Sequence, residues 1–122
     1  MRDVIRQHHI SLKNAFFGLK WALTSQPNFR VHFFLSFGAI ILGVLLGLTR
    51  LEWVILVFTI FWGIVGEMMN TSLEAMTDLI TQEWKQEAKI AKDVAAGMML
   101  TIAIGSVTVA FFLFIPRLLN HL

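Results

Sequence analysis

The chain contains no cysteine, only two prolines and little net charge. The absence of cysteine excludes disulfide bonds and thiol chemistry. The formal net charge at pH 7 is only +2, so the composition gives no electrostatic reason to expect a nucleic-acid partner. No Gly-Ser linker, internal repeat or low-complexity segment divides the chain. These absences predict one small domain that does not bind nucleic acid.

Apolar residues, by contrast, are in excess for a chain of this length. Of the 122 residues, 57% are hydrophobic, and the mean hydropathy is +0.71. Because a soluble core of this size needs fewer apolar residues, the composition predicts an integral membrane protein. Three apolar runs are long enough for membrane helices, at residues 30–48, 53–81 and 90–116. The preceding residues, 1–26, mix apolar and charged positions and predict an amphipathic helix on the membrane surface. The expected fold is therefore all-α and membrane-embedded.

The distribution of lysine and arginine predicts how the chain crosses the membrane. Basic residues flank the first apolar run and the connection before the third: Arg2, Arg6, Lys13, Lys20, Arg30, Lys85, Lys89 and Lys92. Arg50 and Arg117 are the two on the opposite side. Basic residues are retained on the cytoplasmic side, so we expect the N-terminus there. His8, His9 and His121 are expected to be surface residues without a role.

A stripe of polar residues runs along the end of the second apolar segment. At about 100° per residue, Glu67, Glu74 and Asp78 fall within about 40° of one line along a helix, and Asn70 flanks them. Ionisable groups at membrane depth are costly and usually face a bundle interior or a watery cavity. The stripe therefore predicts a functional site. The alternative is a solvated helix end at the membrane interface.

Several chemistries fit such a stripe. Clustered carboxylates with an amide and the nearby Lys92 suit divalent-cation binding and phosphoryl transfer. The sequence has no GxxxxGK[ST] loop and no kinase-type glycine-rich loop, so a nucleotide site would have to be built differently. A cation or proton carrier would use the same buried carboxylates, whereas an assembly factor would need none. Residue types and spacing alone leave these alternatives open.

A small-residue face is expected on the third membrane helix. It is formed by Gly97, Thr101, Gly105 and Thr108, which recur at spacings of three and four residues. Small side chains at such spacings let a second helix approach closely. The face therefore predicts helix packing, with loose packing against lipid as the alternative.

The sequence of residues 67–78 is Glu-Met-Met-Asn-Thr-Ser-Leu-Glu-Ala-Met-Thr-Asp. It resembles the E-x-x-N-[ST]-[SA]-[LIV]-E-x-x-x-D signature of the prokaryotic diacylglycerol kinase family, which includes the undecaprenol kinases. The similarity extends to residues 18–20, 28–32 and 91–93. It implies a homotrimer of chains with one surface helix and three membrane helices each. It also implies transfer of the γ-phosphate of ATP to a lipid hydroxyl with Mg²⁺, at the cytoplasmic side of a bacterial cytoplasmic membrane.

The same resemblance implies a role for individual residues. Glu67 matches the general base that takes the proton of the lipid hydroxyl, and Asn70 would hold that hydroxyl or the base. Glu74 matches a metal-binding carboxylate and Asp78 a supporting one. The residues expected to bind the nucleotide are Asn14, Glu83, Trp84, Lys85, Lys92 and Asp93. Those expected near the lipid substrate are Lys20, Asn28 and Arg30.

Position 26 departs from the family pattern. The family usually has a second metal-binding glutamate here, whereas this chain has Gln26. An amide oxygen can bind Mg²⁺ but brings no negative charge. Residues 28–32, Asn-Phe-Arg-Val-His, are more similar to undecaprenol kinases, so undecaprenol is the expected lipid. Diacylglycerol is the alternative substrate, and a cation carrier is the alternative class of function.

Overall fold

The computed structural model describes the backbone of residues 2–120 and the side chains of residues 11–120. His8, His9 and His121 lie outside the described side chains. The described chain forms four helices, α1 (Arg2–Ser25), α2 (Pro27–Leu45), α3 (Arg50–Ile80) and α4 (Gln86–Asn120). The last three are long and apolar enough to cross a membrane. The predicted all-α architecture with three such helices is confirmed.

The break between α1 and α2 is a single residue, Gln26. Its φ and ψ of −100° and 113° are extended, because the ring of the following proline disfavours the helical conformation at the residue before it. Pro27 itself is the first residue of α2, where its missing N–H is not needed for a helical hydrogen bond. Consequently α2 begins three residues before the expected start at residue 30.

The connection between α2 and α3 is a turn at residues 46–49, not at 49–52 as expected. Gly47 adopts a left-handed φ of +63°, which glycine tolerates and which ends α2 at Leu45 instead of residue 48. Thr49 and Glu52 then form a capping box: the Glu52 carboxylate accepts the Thr49 N–H at 2.7 Å. This cap starts α3 at Arg50, three residues before the expected residue 53.

Helix α4 is longer at both ends than its apolar run. It begins at Gln86 instead of residue 90, and it continues through Pro116 to Asn120. The helix thus continues to Asn120, past Pro116, near which the membrane-spanning segment is predicted to end. Proline removes one backbone hydrogen bond, but membrane helices tolerate it where neighbouring groups satisfy the freed carbonyl. Residues 81–85 are all that separates α3 from α4.

Helix α3 packs more extensively against α4 than against α2. Gly66 is buried, and a Cβ atom at this position would overlap Ile102 Cδ1. The missing side chain therefore allows α4 to approach one residue before Glu67. The buried apolar cluster lies at the opposite end of the helices, where its central members are Leu48, Leu56, Leu113 and Phe114.

Arg117 ties the helix ends together beside this apolar cluster. Its Nη2 lies 2.6 Å from Glu52 Oε2, and its Nη1 donates to the carbonyls of Leu46 and Gly47, both at 3.0 Å. One guanidinium from α4 therefore satisfies carbonyls that follow α2 and the carboxylate that caps α3.

Candidate active site

Glu67 and Asn70 are the two functional candidates buried within the chain. Glu67 is 3% exposed and Asn70 is 7% exposed, although both are polar. The Asn70 Nδ2 donates to Glu74 Oε1 at 3.3 Å, one helical turn further along α3. The other amide atom, Asn70 Oδ1, is buried and has no hydrogen-bond partner within residues 11–120. A buried carbonyl oxygen without a donor is costly, which marks this point as a binding position.

A cavity of about 410 Å³ opens beside these three residues, between α2, α3 and α4. We call it the carboxylate cavity. Its polar walls come from α2 and α3, and α4 contributes apolar side chains. The lining residues are Asn28, Val31, His32, Glu67, Asn70, Glu74, Ala96, Met99, Leu100 and Ala103. The carboxylate cavity thus places the predicted base, the predicted metal carboxylate and one predicted lipid residue around one space.

A second cavity of about 370 Å³ lies at the connection between α3 and α4, and we call it the loop cavity. Lys92 Nζ lies 2.6 Å from Asp78 Oδ1 across the two helices, and Lys85 Nζ lies 3.6 Å from Glu83 Oε2. The lining residues are Thr77, Asp78, Thr81, Gln82, Glu83, Trp84, Lys85, Ala88, Lys89, Lys92 and Asp93. Three lysines and an exposed tryptophan give this cavity groups suited to phosphates and a base ring.

The structure divides the predicted site residues into three groups. Glu67, Asn70, Glu74 and Asn28 line the carboxylate cavity. Five of the six expected nucleotide residues line the loop cavity, and Asp78 lies with them, paired with Lys92, and does not line the cavity that contains Glu74. The residues that line neither cavity are Asn14, Lys20, Gln26 and Arg30. The first two belong to α1, whose main contacts are with α2.

Within residues 11–120, no three His, Asp or Glu side chains come close enough together to hold a metal ion by themselves. Glu74 and Asn70, which carry side-chain oxygen atoms, nevertheless lie together at one wall of the carboxylate cavity. Magnesium in nucleotide-dependent enzymes is commonly held by one or two carboxylates, with phosphates and waters completing the coordination. The donor set fits Mg²⁺ brought with a nucleotide better than a resident metal.

His32 was not among the residues predicted from the sequence to have a role in the site. The imidazole is partly buried on α2 and lines the carboxylate cavity with Glu67. A signal was present, because His32 interrupts an apolar run one helical turn after Asn28, and residues four apart share a helix face.

Comparison with known proteins adds to this geometry. The profile of the family described as prokaryotic diacylglycerol kinase matches residues 13–114. The chain belongs to the prokaryotic diacylglycerol kinase family. The match includes every part of both cavities and confirms the family that the residues 67–78 indicated.

The names of relatives in this family refer to two different lipid substrates. A diacylglycerol kinase of Synechocystis is 38% identical over 91% of this chain and 64% of its own length. An undecaprenol kinase of Bacillus subtilis is 31% identical over 96% of this chain and 95% of its own length. A diacylglycerol kinase of Helicobacter pylori is 35% identical over 68% of this chain and 65% of its own length. The chain thus spans less than two thirds of the two diacylglycerol kinases and nearly all of the undecaprenol kinase.

Proposed function

We propose that the protein is a lipid kinase that transfers the γ-phosphate of ATP to the hydroxyl group of a membrane lipid. One observation carries this proposal: the buried residues Glu67 and Asn70, the latter with an unpaired Oδ1 atom, line a cavity next to a lysine-lined one. Family membership supports the same reaction.

In the proposed reaction, the lipid hydroxyl oxygen forms a bond to the γ-phosphorus, and the bond from that phosphorus to the β-γ bridging oxygen breaks. Glu67 accepts the hydroxyl proton, and ADP leaves with the electron pair of the broken bond. Asn70 orients the hydroxyl or the Glu67 carboxylate. Lys92, which lies on α4 and lines the loop cavity, offsets the negative charge of the phosphates. Bound Mg²⁺, held by Glu74 and Asn70 Oδ1, would neutralise the phosphates and hold them in place.

The remaining site residues take supporting roles in this proposal. Glu83, Trp84, Lys85 and Asp93 bind the nucleotide in the loop cavity, and Asp78 holds Lys92 through their ion pair at 2.6 Å. Asn28 lines the carboxylate cavity on the lipid side. Further proposed contacts come from Asn14 to the nucleotide, from Gln26 to the metal, and from Lys20 and Arg30 to the lipid headgroup region. The contacts of Asn14, Lys20 and Gln26 require α1 or its junction to close over the cavities, whereas Arg30 already lies on α2, two residues after Asn28.

Undecaprenol is the proposed acceptor lipid, and diacylglycerol is the alternative. The resemblance of residues 28–32 to undecaprenol kinases supports undecaprenol, as does the near full-length match to the Bacillus subtilis undecaprenol kinase. The higher identity to the Synechocystis diacylglycerol kinase supports the alternative. Both lipids present a hydroxyl on a long hydrocarbon body, so the same carboxylate cavity would serve either.

The proposed location is a bacterial cytoplasmic membrane, with α1 on its cytoplasmic surface and both cavities facing the cytoplasm. The bias of lysine and arginine towards this side supports the orientation. Single cysteines introduced at Arg50 and Leu119 should react with an impermeant thiol reagent added from outside. Labelling of both cysteines only from the cytoplasmic side would contradict the proposed orientation.

A homotrimer is the proposed assembly. On α4, Cβ atoms at Gly97 and Gly105 would meet nothing within 4 Å among the described residues, and Thr101 and Thr108 donate to carbonyls of their own helix. The small-residue face is therefore free to receive a helix of another copy.

A carboxylate-lined cation carrier has weaker support. Beyond His32 the space between the helices is lined mainly by apolar side chains, and a carrier would need polar groups along its route. Ion flux in sealed vesicles without ATP, in the absence of lipid phosphorylation, would favour the carrier over the kinase.

The test of the kinase is a competition assay with the purified chain. Undecaprenol and diacylglycerol are offered together in mixed micelles with Mg²⁺ and ATP labelled at the γ-phosphate, and the lipid products are separated. We expect label in undecaprenyl phosphate. Label in phosphatidic acid instead would identify diacylglycerol as the substrate. If neither acceptor lipid became labelled, the proposed function would be contradicted.

A further inference from the structure

Two spaces of different character meet at His32. One is the carboxylate cavity, and the other is a groove of about 250 Å³ that continues along α2, α3 and α4 towards the far end of the helices. We call it the apolar groove. His32 and Ala103 line both spaces. The junction therefore has Glu67 and Asn70 on one side and hydrocarbon side chains on the other.

The apolar groove is suited to a hydrocarbon chain. Its length follows from the lining residues of α2, because His32 and Ala39 lie about 10 Å apart along the helix at 1.5 Å per residue. On α3 the lining from Gly63 to Leu56 has the same length, and on α4 it extends further, from Ala103 to Phe114. Its few polar members, Ser36, Thr59 and Ser106, carry no charge, and the Thr59 hydroxyl donates to a carbonyl of its own helix.

The His32 imidazole lies against Gly63 of α3 at the junction. A Cβ atom at position 63 would lie 3.4 Å from His32 Nδ1, an ordinary van der Waals contact. Gly63 is buried and precedes Glu67 by four residues, so the two share a face of α3. The imidazole therefore lies against α3 one turn before the carboxylate.

We propose that His32 positions the acceptor lipid, holding its hydroxyl group beside Glu67 while the hydrocarbon chain lies in the apolar groove. This proposal rests on the proposed lipid kinase function. A lipid with a hydroxyl head needs a polar partner where its chain begins, and His32 is the polar side chain common to both spaces. An imidazole can donate to or accept from a hydroxyl. His32 is thereby a positioning residue, and the proton still goes to Glu67.

The test separates binding of the lipid from binding of ATP. His32→Phe keeps a ring of similar shape and removes both nitrogens, whereas His32→Gln keeps a hydrogen-bonding group. With wild-type protein active, we expect His32→Phe to raise the KM for the lipid at least tenfold and to leave the KM for ATP within twofold. His32→Gln should recover most of the loss. Equal changes in both KM values, or no rescue by glutamine, would overturn the proposal.

A second pair of variants tests the groove independently of the imidazole. Ala103→Leu adds bulk at the junction, and Ile104→Phe adds bulk at the next residue, which is 60% exposed and lines none of these spaces. We expect Ala103→Leu to raise the lipid KM at least fivefold and Ile104→Phe to change it less than twofold. If Ala103→Leu alters the oligomeric state and not the lipid KM, the groove is covered by another copy and the proposal fails.

The two proposals fail in distinguishable ways. Wild-type protein that phosphorylates neither undecaprenol nor diacylglycerol would contradict the kinase itself. If the wild-type protein is active and His32→Phe lowers only the thermal stability, the kinase function is supported. That result would contradict a role of His32 in positioning the lipid.

Discussion

Glu52 and Glu67 are both carboxylates of α3, about 22 Å apart along the helix at 1.5 Å per residue, yet their surroundings are opposite. Glu52 accepts hydrogen bonds from the Thr49 backbone and hydroxyl and pairs with Arg117 at 2.6 Å. Glu67 is more deeply buried and takes part in none of the ion pairs within residues 11–120. The chain completes the contacts of one carboxylate and leaves the other open.

This difference separates a structural role from a functional one. A buried carboxylate without a charged partner destabilises the fold, so its presence needs a reason outside the fold itself. Asn70 Oδ1 is buried without a hydrogen-bond partner within residues 11–120, and Glu67, which has no ion-pair partner there, lines the same cavity as Asn70. Polar residues that lack partners and line one cavity indicate a ligand-binding site. The contacts of Glu52 instead indicate that it connects helices.

The sharpest test of this comparison exchanges each carboxylate for its amide. Glu67→Gln should lower kcat for lipid phosphorylation by about a hundredfold to ten-thousandfold, because a general base contributes that much to proton transfer. Thermal stability and ATP binding should stay near those of the wild type. Both are measured on the same preparation as the initial rate with γ-labelled ATP.

The matched control is Glu52→Gln, which removes the same charge from the other end of α3. We expect it to lower thermal stability and to keep kcat within about threefold. Residual activity of Glu67→Gln above one tenth of wild type would show that Glu67 is not the base.

Arg117→Ala should affect stability most, because it removes the guanidinium that joins Glu52 to the carbonyls of Leu46 and Gly47. Loss of charge-assisted contacts in a small helical domain should lower the midpoint of thermal inactivation by about 5 °C or more. Arg117→Lys keeps the charge but not the planar fork, and it should recover only part of the loss. A large fall in kcat at unchanged stability would instead connect this end of the bundle to the reaction.

The sequence predicted the region of α3 around Glu67 and the region around Glu52 with unequal success. Hydropathy located three apolar helices, and helical periodicity grouped Glu67 with Glu74. Periodicity also grouped Asp78 with them, but the side chain pairs with Lys92 from the next helix. Only the tertiary arrangement could reveal that contact, because fourteen residues separate the partners.

Helix ends were the least predictable features, for local reasons. The Thr49 cap, the left-handed Gly47 and the tolerated Pro116 each depend on hydrogen bonds that hydropathy does not report. His32 escaped notice because its importance lies in the junction of two spaces formed by three helices.

A substitution at Gln26 tests whether the proposed metal site lacks a negative charge. This residue is the only non-helical one between α1 and α2, its side chain makes no capping hydrogen bond, and it lines neither cavity. If α1 closes over the site and brings position 26 to the metal, Gln26→Glu should raise activity about tenfold, equivalent to about 1.4 kcal/mol. The measurement is the rate as a function of Mg²⁺ concentration.

Glu74→Gln is the control for Gln26→Glu, and it should lower activity in both backgrounds. An acidic residue before a helix also favours that helix electrostatically, so a rise in stability alone would not support a metal role. Unchanged Mg²⁺ dependence and rate in Gln26→Glu would show that position 26 is not a metal site in this protein.

The smallest effect is expected at the small-residue face, which the single chain also leaves open. A methyl group at Gly105 would meet nothing within 4 Å in the part of the chain that the structure describes, and the same holds for Gly38 on α2. If the face packs against another copy, Gly105→Ala should weaken assembly severalfold, because added bulk separates closely packed membrane helices. Cross-linking across a dilution series in detergent measures the trimer fraction. Gly38→Ala, the matched control outside the face, should leave that fraction unchanged, and equal behaviour of the two variants would remove Gly105 from the interface.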